Sequence, residues 1–367
     1  MTSIVVGLSG GVDSAVAASL LVEQGYQVQA VTLQTWETED DATTSKKWQE
    51  RGCCKIGIAR YVAERLQIPH RVIDIREQFR AAVVQDFIQG YRAGLTPNPC
   101  VRCNERVKFG GLVDAARELG ADYVATGHYA QVFPDANGRL HLYKGGDPKK
   151  DQSYFLYRLN RDWLPRLLFP VGGMQKNDVW AAAEALDLPA DELKESQEIC
   201  FVTQGDYRGF LEAEAPEIAQ AGAFVGTDGA VVGTHKGVPF YTPGQRRGLG
   251  LPGAERLYVV RVDAPSNTVV VGKDEDLLET ACTVGDLNLL GLNLIEMAQG
   301  EVPLRAQVKV RYASPAVPAT IRPMDEGRLR IEFDTPQRAL SPGQSAVFYQ
   351  GDRVLGGGII EAKHANG

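Results

Sequence analysis

The sequence predicts an α/β fold, a doubly wound parallel sheet, followed by a small β-rich domain and a C-terminal β-barrel. Three observations carry that expectation. Short β-branched runs alternate with amphipathic helical stretches as far as residue 130, glycine content rises from residue 222, and apolar and polar residues alternate at strand spacing from about 279 onward. A chain of 367 residues exceeds the usual size of one domain, and the changes of pattern divide it into 1–206, 207–278 and 279–367.

The first element is "SIVVGL" (3–8), a strand. "SGGVDS" (9–14) is a tight glycine turn, and "AVAASLLVEQG" (15–25) is a helix with Val16, Leu20 and Leu21 on its apolar face and Gly25 as C-cap. A phosphate suits that helix start. Gly10 and Gly11 let backbone N–H groups approach an anion, Ser9 and Ser14 add hydroxyl donors, and the helix dipole favours negative charge. Asp13 repels a phosphate unless a cation lies between them, which suggests Mg²⁺. The stretch lacks the Gly-Lys-Ser/Thr ending of a Walker loop and the G-x-G-x-x-G of a dinucleotide fold. It resembles instead the pyrophosphate loop of ATP-pyrophosphatases, which release pyrophosphate and leave AMP on a substrate oxygen. That resemblance implies a sheet of the ATP-pyrophosphatase (adenine nucleotide alpha hydrolase-like) type.

Further strands and helices alternate: strand 27–36, helix 55–68, strand 70–75, helix 77–94, helix 110–120 and strand 122–130. In such a sheet ligands bind at the carboxyl ends of the strands, where Leu33, Gly127 and His128 fall. His128, after "ATG", is a candidate site residue, although a lone histidine is also a common structural residue. Residues 150–190 read as helices packed on this first domain.

The six cysteines of the chain favour catalysis or metal binding over a disulfide framework. Cys100 and Cys103, in "NPCVRCN", follow prolines and are expected to be exposed thiols in a loop between helices. Cys200, in "SQEICFV", has a polar neighbourhood unlike a core. C-x-x-C plus one distant cysteine gives three ligands where closed zinc wants four. Three thiolates could hold a [4Fe–4S] cluster with one iron open, or two of them could act as persulfide carrier and resolving nucleophile. A thioredoxin-like pair is disfavoured because the C-x-x-C is not expected to open a helix after a strand. Cys53, Cys54 and Cys282 read as structural.

Lysine and arginine number 39 against 46 acidic residues, a net charge of −7, which argues against sequence-blind coating of nucleic acid. A local basic surface is still available, since residues 304–323 carry Arg305, Lys309, Arg311 and Arg322 with no acid among them. "MTSIVVGLSGG" lacks the basic lead of a signal peptide and no apolar run approaches a membrane span, so the expected location is cytoplasmic, with no membrane partner. Residues 222–251 read as short strands with tight turns. The strands from 283 to 360 suggest a barrel of six or a similar number.

Taken in order, "GLSGGVDS", "TPNPCVRCNERVKFG", "ATGHYA", "KDQSYFL", "SQEICFV" and "FYTPGQRRGLGL" resemble bacterial tRNA-specific 2-thiouridylases of the MnmA (TrmU) type, over nearly the whole chain. The resemblance implies adenylation of the 2-carbonyl oxygen of the tRNA wobble uridine with ATP and Mg²⁺, then replacement of that oxygen by sulfur. It implies that Gly7, Leu8, Ser9, Gly10, Gly11, Val12, Asp13, Ser14, Leu33 and Gly127 hold ATP, and that Asn98, Pro99 and Cys100 approach the target base. Cys200 becomes the persulfide carrier. Cys103 becomes its resolving partner, through a transient disulfide or by releasing hydrogen sulfide. His128, Lys150, Asp151, Gln152, Arg311, Tyr312 and Gln344 are placed on tRNA. The implied partners are lysine, glutamate and glutamine tRNAs and a cysteine desulfurase or sulfur-relay donor. One departure stands out: the usual pattern has aspartate where this chain has Cys100, and a thiol does not inherit a carboxylate's role in proton transfer. With that third cysteine, an iron–sulfur cluster on Cys100, Cys103 and Cys200 is open beside the persulfide route. The rivals are an ATP-dependent enzyme amidating a small molecule and a non-catalytic tRNA-binding or sulfur-carrier protein.

Overall fold

The computed structural model describes residues 1–36, 56–186, 199–202, 206–251, 256–292 and 303–362. Cys53 and Cys54 lie outside them. The chain divides into two compact units. The first comprises residues 1–83, 100–205 and 352–354, and the second 84–99, 206–351 and 355–367.

The first unit is built on a parallel sheet. Its strands are β1 (Ser3–Gly7), β2 (Gln27–Gln34), β3 (His70–Asp74), β4 (Tyr123–Thr126) and β7 (Leu167–Leu168), in the order β3-β2-β1-β4-β7. The order reverses direction between β1 and β4, the point at which a doubly wound sheet opens a crevice for ligands. Ile4 and Val6, alternating along β1, are fully buried with α1 (Val12–Glu23) and α2 (Ile56–Arg65). On α6 (Phe109–Glu118), Leu112 meets Gly7, where an added Cβ would lie 2.9 Å from it. Strand residues thus feed both faces with apolar side chains, and helices cover both.

Four expectations change. Helix α1 begins at Val12, so the last part of "SGGVDS" is already helical. The strand expected over 122–130 stops at Thr126, and a separate hairpin, β5 (Ala130–Pro134) with β6 (Leu140–Lys144), follows. β7 falls within residues read as helical, which otherwise form α7 (Ser153–Leu156), a 3₁₀ turn and α8 (Lys176–Ala185). Finally, the C-x-x-C pair does open a helix, α5 (Pro99–Cys103), which runs through a π turn into α6. Val101, on α5, is buried, and that apolar anchor is what the loop reading missed.

In the second unit, β8 (Gly222–Gly226), β9 (Val231–His235), β10 (Tyr258–Asp263) and β11 (Thr268–Gly272) form a small sheet ordered β10-β11-β8-β9. A six-stranded barrel follows: β12 (Leu278–Asn288), β13 (Leu304–Lys309), β14 (Val317–Pro323), β15 (Leu329–Arg338), β16 (Ser345–Gln350) and β17 (Arg353–Ile360), closed by pairing of β12 with β17. Inward residues such as Val308, Ile321, Ile331 and Phe348 fill it, and Cys282 packs among them as a buried strand residue.

Candidate active site

At the end of β1 the chain turns on glycine. Gly10 adopts φ +74°, a left-handed conformation that favours a residue without Cβ. Two serines then lock the turn: Ser9 N–H donates to Ser14 Oγ at 3.2 Å, the two hydroxyls are 3.1 Å apart, and Ser14 Oγ donates to Gly11 O at 2.9 Å. Gly11, the N-cap of α1, has no side chain to satisfy the first helical amides, an arrangement suited to an anion.

The loop after β4 comes against this helix start. A Cβ on Gly127 would lie 2.5 Å from the Asp13 carbonyl carbon and 2.6 Å from Ser14 N, so the two backbones leave no room for one. Leu33, near the end of β2, is buried against Gly111 on α6. The sequence-predicted nucleotide residues therefore converge on the switch point of one sheet.

Asp13 carries an environment the sequence did not suggest. Its Oδ1 accepts from Lys176 Nζ at 2.6 Å and from the Tyr129 hydroxyl at 2.8 Å. Among the described residues its Oδ2 accepts no hydrogen bond. Lys176 is 7% exposed, and its ammonium lies 5.6 Å from the Tyr129 ring and 5.4 Å from that of Trp180. Asp147 fixes the helix that bears it, accepting from Lys176 N–H at 3.0 Å; that bond holds the Asp147 carboxyl below the usual carboxylate range.

The thiols are set on two separate supports. Cys103 is buried and Cys100 half-buried, so the expectation of two exposed thiols fails for Cys103, whose helix packs inward through Val101. The turn after them is clamped: Glu105 accepts from Arg158 at 2.7 Å and from Arg102 at 2.9 Å, while Asn104 Nδ2 donates to Phe155 O at 3.2 Å. Burial raises the Glu105 pKa, but the two guanidiniums outweigh it and hold the carboxyl below its ordinary value. Half-buried Cys200 is anchored by its neighbour Phe201, whose ring packs 5.8 Å from Phe79 and 6.0 Å from Trp36, just beyond β2. Among the described residues no three His, Cys, Asp or Glu side chains stand close enough to hold a metal ion. As arranged, then, Cys100, Cys103 and Cys200 do not form a ligand set for an iron–sulfur cluster.

Three family models match this chain in succession: a tRNA methyl transferase HUP domain over residues 2–204, a tRNA methyl transferase PRC-barrel domain over 208–273 and an aminomethyltransferase beta-barrel domain over 281–360. Among curated relatives, the tRNA-specific 2-thiouridylase MnmA of Acetivibrio thermocellus is 43% identical over 362 residues, 98% of this chain and 99% of that one. Those of Symbiobacterium thermophilum and Moorella thermoacetica are 45% and 46% identical over 363 residues, covering 98% and 97% of this chain and 92% and 99% of theirs. The chain belongs to the tRNA-specific 2-thiouridylase family.

In this thiouridylase-family chain the remaining sequence-predicted residues are scattered. Next to Gly127, His128 is half-buried beside Phe109 and shares a 2.8 Å hydrogen bond with Thr126; burial, and then the charge of Lys108, pushes its pKa well below the usual histidine value. Asp151 is buried, its carboxylate accepting from Gly145 N–H, Ser153 N–H and Ser153 Oγ, each at 3.0 Å. Gln152 accepts from Tyr129 N–H at 3.0 Å, and Lys150 is partly exposed. Asn98 is partly exposed, Pro99 is buried and begins α5. In the second unit Gln344 donates to Thr96 O at 2.7 Å, pinning the loop that leads to Asn98. There also, Arg311 donates to Ala339 O and to Ser341 Oγ, while Lys309 sits 5.2 Å over the ring of Tyr312, which is 37% exposed. The basic strands are less positive than their sequence: Arg305 pairs with Asp334 and Arg322 with Glu332 on the exposed face of the barrel.

What sequence reasoning missed is Lys176, Tyr129, Glu105 and Arg158. One signal was available. A lysine in the first turn of a helix opposes the helix dipole, which is a reason to look for the carboxylate that holds it there.

Proposed function

We propose that this chain thiolates the wobble uridine of tRNA in an ATP-dependent reaction that releases AMP and pyrophosphate. The uridine 2-oxygen attacks the α-phosphorus of ATP, pyrophosphate leaves, and the oxygen becomes part of an AMP leaving group. The terminal sulfur of a persulfide on Cys200 attacks C2, and AMP departs with the original oxygen. The Cys103 thiolate then attacks the Cys200 sulfur, leaving 2-thiouridine and a Cys103–Cys200 disulfide that an external thiol reopens. A cysteine desulfurase or sulfur-relay protein reloads Cys200.

Residues 7–14, Leu33 and Gly127 hold the nucleotide. Asp13, through Oδ2, would hold a Mg²⁺ ion bound with the nucleotide, and the ion would supply positive charge against the phosphates. Asn98, Pro99 and Cys100 approach the target base, Cys100 from the first turn of α5. His128, Lys150, Gln152, Arg311, Tyr312, Gln344 and the ordered Asp151 segment serve tRNA, with lysine, glutamate and glutamine isoacceptors as substrates. The base leaves its stack to react. The observation that carries the reading is the seating of the "SGGVDS" turn against Gly127 at the switch point, in a chain similar to thiouridylases along its whole length.

The test is anaerobic purification with iron and acid-labile sulfide analysis, followed by tRNA thiolation with ATP and a persulfide donor. Iron-free protein is expected to thiolate; activity confined to iron-bearing protein would replace the persulfide step by a cluster on the same cysteines. Continued activity of Cys100→Asp without iron separates the two routes. Pyrophosphate release that needs added tRNA excludes amidation of a small molecule and a silent carrier alike.

A further inference from the structure

The pyrophosphate turn lacks the lysine that a Walker loop carries, and the fold brings one from far along the chain. Lys176 opens α8, is 7% exposed, and directs its ammonium to Asp13 in the first turn of α1. Its Nζ lies 2.6 Å from Asp13 Oδ1, so the buried lysine is paired with the carboxylate of the turn. Tyr129 donates to the same oxygen, Oδ1. With both donors on Oδ1 and none among the described residues on Oδ2, the carboxylate is fixed in one orientation and keeps one oxygen for a cation. The ammonium also cancels a negative charge at the position where phosphates need none.

The supports of Lys176 are themselves ordered. Asp147 accepts from its backbone N–H, and Gln175 Nε2 donates to Gly146 O at 2.8 Å. Gly146 lies against Gly173, where an added Cβ would come within 2.5 Å of the Gly173 carbonyl oxygen, and a Cβ on Gly145 would come within 2.7 Å of Tyr129 O. The segment that orients Lys176 is thus the segment packed behind Tyr129.

We propose that Lys176, with Tyr129, is a positioning residue of the nucleotide site: it neutralises Asp13 and holds it with Oδ2 available to the cation of a magnesium nucleotide. This rests on the reading of the turn as an ATP site.

The experiment is calorimetric titration of the full chain with a non-hydrolysable ATP analogue at several Mg²⁺ concentrations, beside thermal melting. Lys176→Met is expected to weaken binding about tenfold at fixed Mg²⁺ and to raise the Mg²⁺ needed, with Lys176→Arg restoring most of the loss; Tyr129→Phe, which removes one hydroxyl, should cost roughly threefold. In an Asp13→Asn background the Lys176→Met penalty should shrink to near unity. Wild-type affinity and Mg²⁺ dependence in both Lys176→Met and Tyr129→Phe overturn the proposal, as does an undiminished Lys176→Met penalty in the Asp13→Asn background. A lowered melting temperature with unchanged affinity assigns the pair to folding and overturns it too. If the wild-type chain itself binds no ATP analogue, the nucleotide reading fails first and takes the proposal with it.

Discussion

The Glu105 carboxylate lies 2.7 Å from the guanidinium of Arg158, and these two side chains are 20% and 6% exposed. Glu105 follows Cys103 by two residues and Arg158 follows α7, so this ion pair ties the turn after the thiols to the "KDQSYFL" segment. Removing one partner strands the other charge away from water. Glu105→Ala is expected to lower stability by about 3 kcal/mol, read from urea melts, and to cut thiolation at temperatures where the chain stays folded. A double replacement, Glu105→Gln with Arg158→Met, should recover much of the stability but not the activity.

Gly127 sets a second expectation. With backbone atoms at 2.5–2.6 Å from its missing Cβ, Gly127→Ala must push the β4 loop away from the start of α1. Overpacking of this kind costs about 1–3 kcal/mol. Affinity for an ATP analogue should fall at least as far as stability, and retained affinity would place the nucleotide elsewhere.

The sulfur route predicts different outcomes for the three cysteines. Cys200→Ser should abolish both thiolation and the mass increase of one sulfur atom after incubation with a persulfide donor. Cys103→Ser should keep that mass increase while losing turnover. A Cys200→Ser chain that still gains the sulfur would show that another thiol is the carrier.

Acid should destabilise this chain through its histidines. Burial lowers the pKa of His128, and likewise of His70 and His235. Below the ordinary histidine value near 6.5 the unfolded chain therefore binds protons that the folded chain refuses. Stability is full above that pH and is lost as pH falls through it, at up to about 1.4 kcal/mol per pH unit for a single site such as His128. Chemical denaturation between pH 7.5 and 5.5 checks the sign, and His128→Phe should flatten the slope.

Gln344 predicts a split between binding and chemistry. Its amide holds the Thr96 carbonyl, and Thr96 N–H donates to Pro342 O at 2.7 Å, so Gln344→Ala loosens the loop before Asn98. The KM for tRNA is expected to rise several-fold with little change in ATP binding, since no atom of the nucleotide turn is touched.

Much of this could be read before any coordinates. The β-branched run of Ile4, Val5 and Val6, the glycine turn and the apolar stripe of α1 are local signals, and they placed the strand, the turn and the start of α1 to within a few residues. The barrel strands announced themselves by alternation. The Lys176–Asp13 and Glu105–Arg158 pairs did not, because each joins residues far apart in sequence whose partnership exists only once the sheet is wound. The same holds for the basic strands, where Asp334 and Glu332, outside the segment that looked purely positive, lie beside Arg305 and Arg322. The C-x-x-C helix was missed for a different reason: Pro97 and Pro99 look like loop punctuation, yet Pro99 is a favoured first residue of a helix.

The pairing that closes the barrel has a kinetic consequence. β12 is the first barrel strand made and β17 the last, with Val284 opposite Ile360 and Gly285 opposite Ile359. Until β17 has been synthesised, one edge of β12 has no neighbour, and the interior residues Val284, Ile321 and Ile331 have no closed wall around them. Nonlocal strand pairing of this kind folds slowly and leaves an adhesive edge in the meantime. The ribosome-bound nascent chain should therefore depend most on chaperone shielding during synthesis of this last stretch, when its N-terminal sheet already has all the strands it needs.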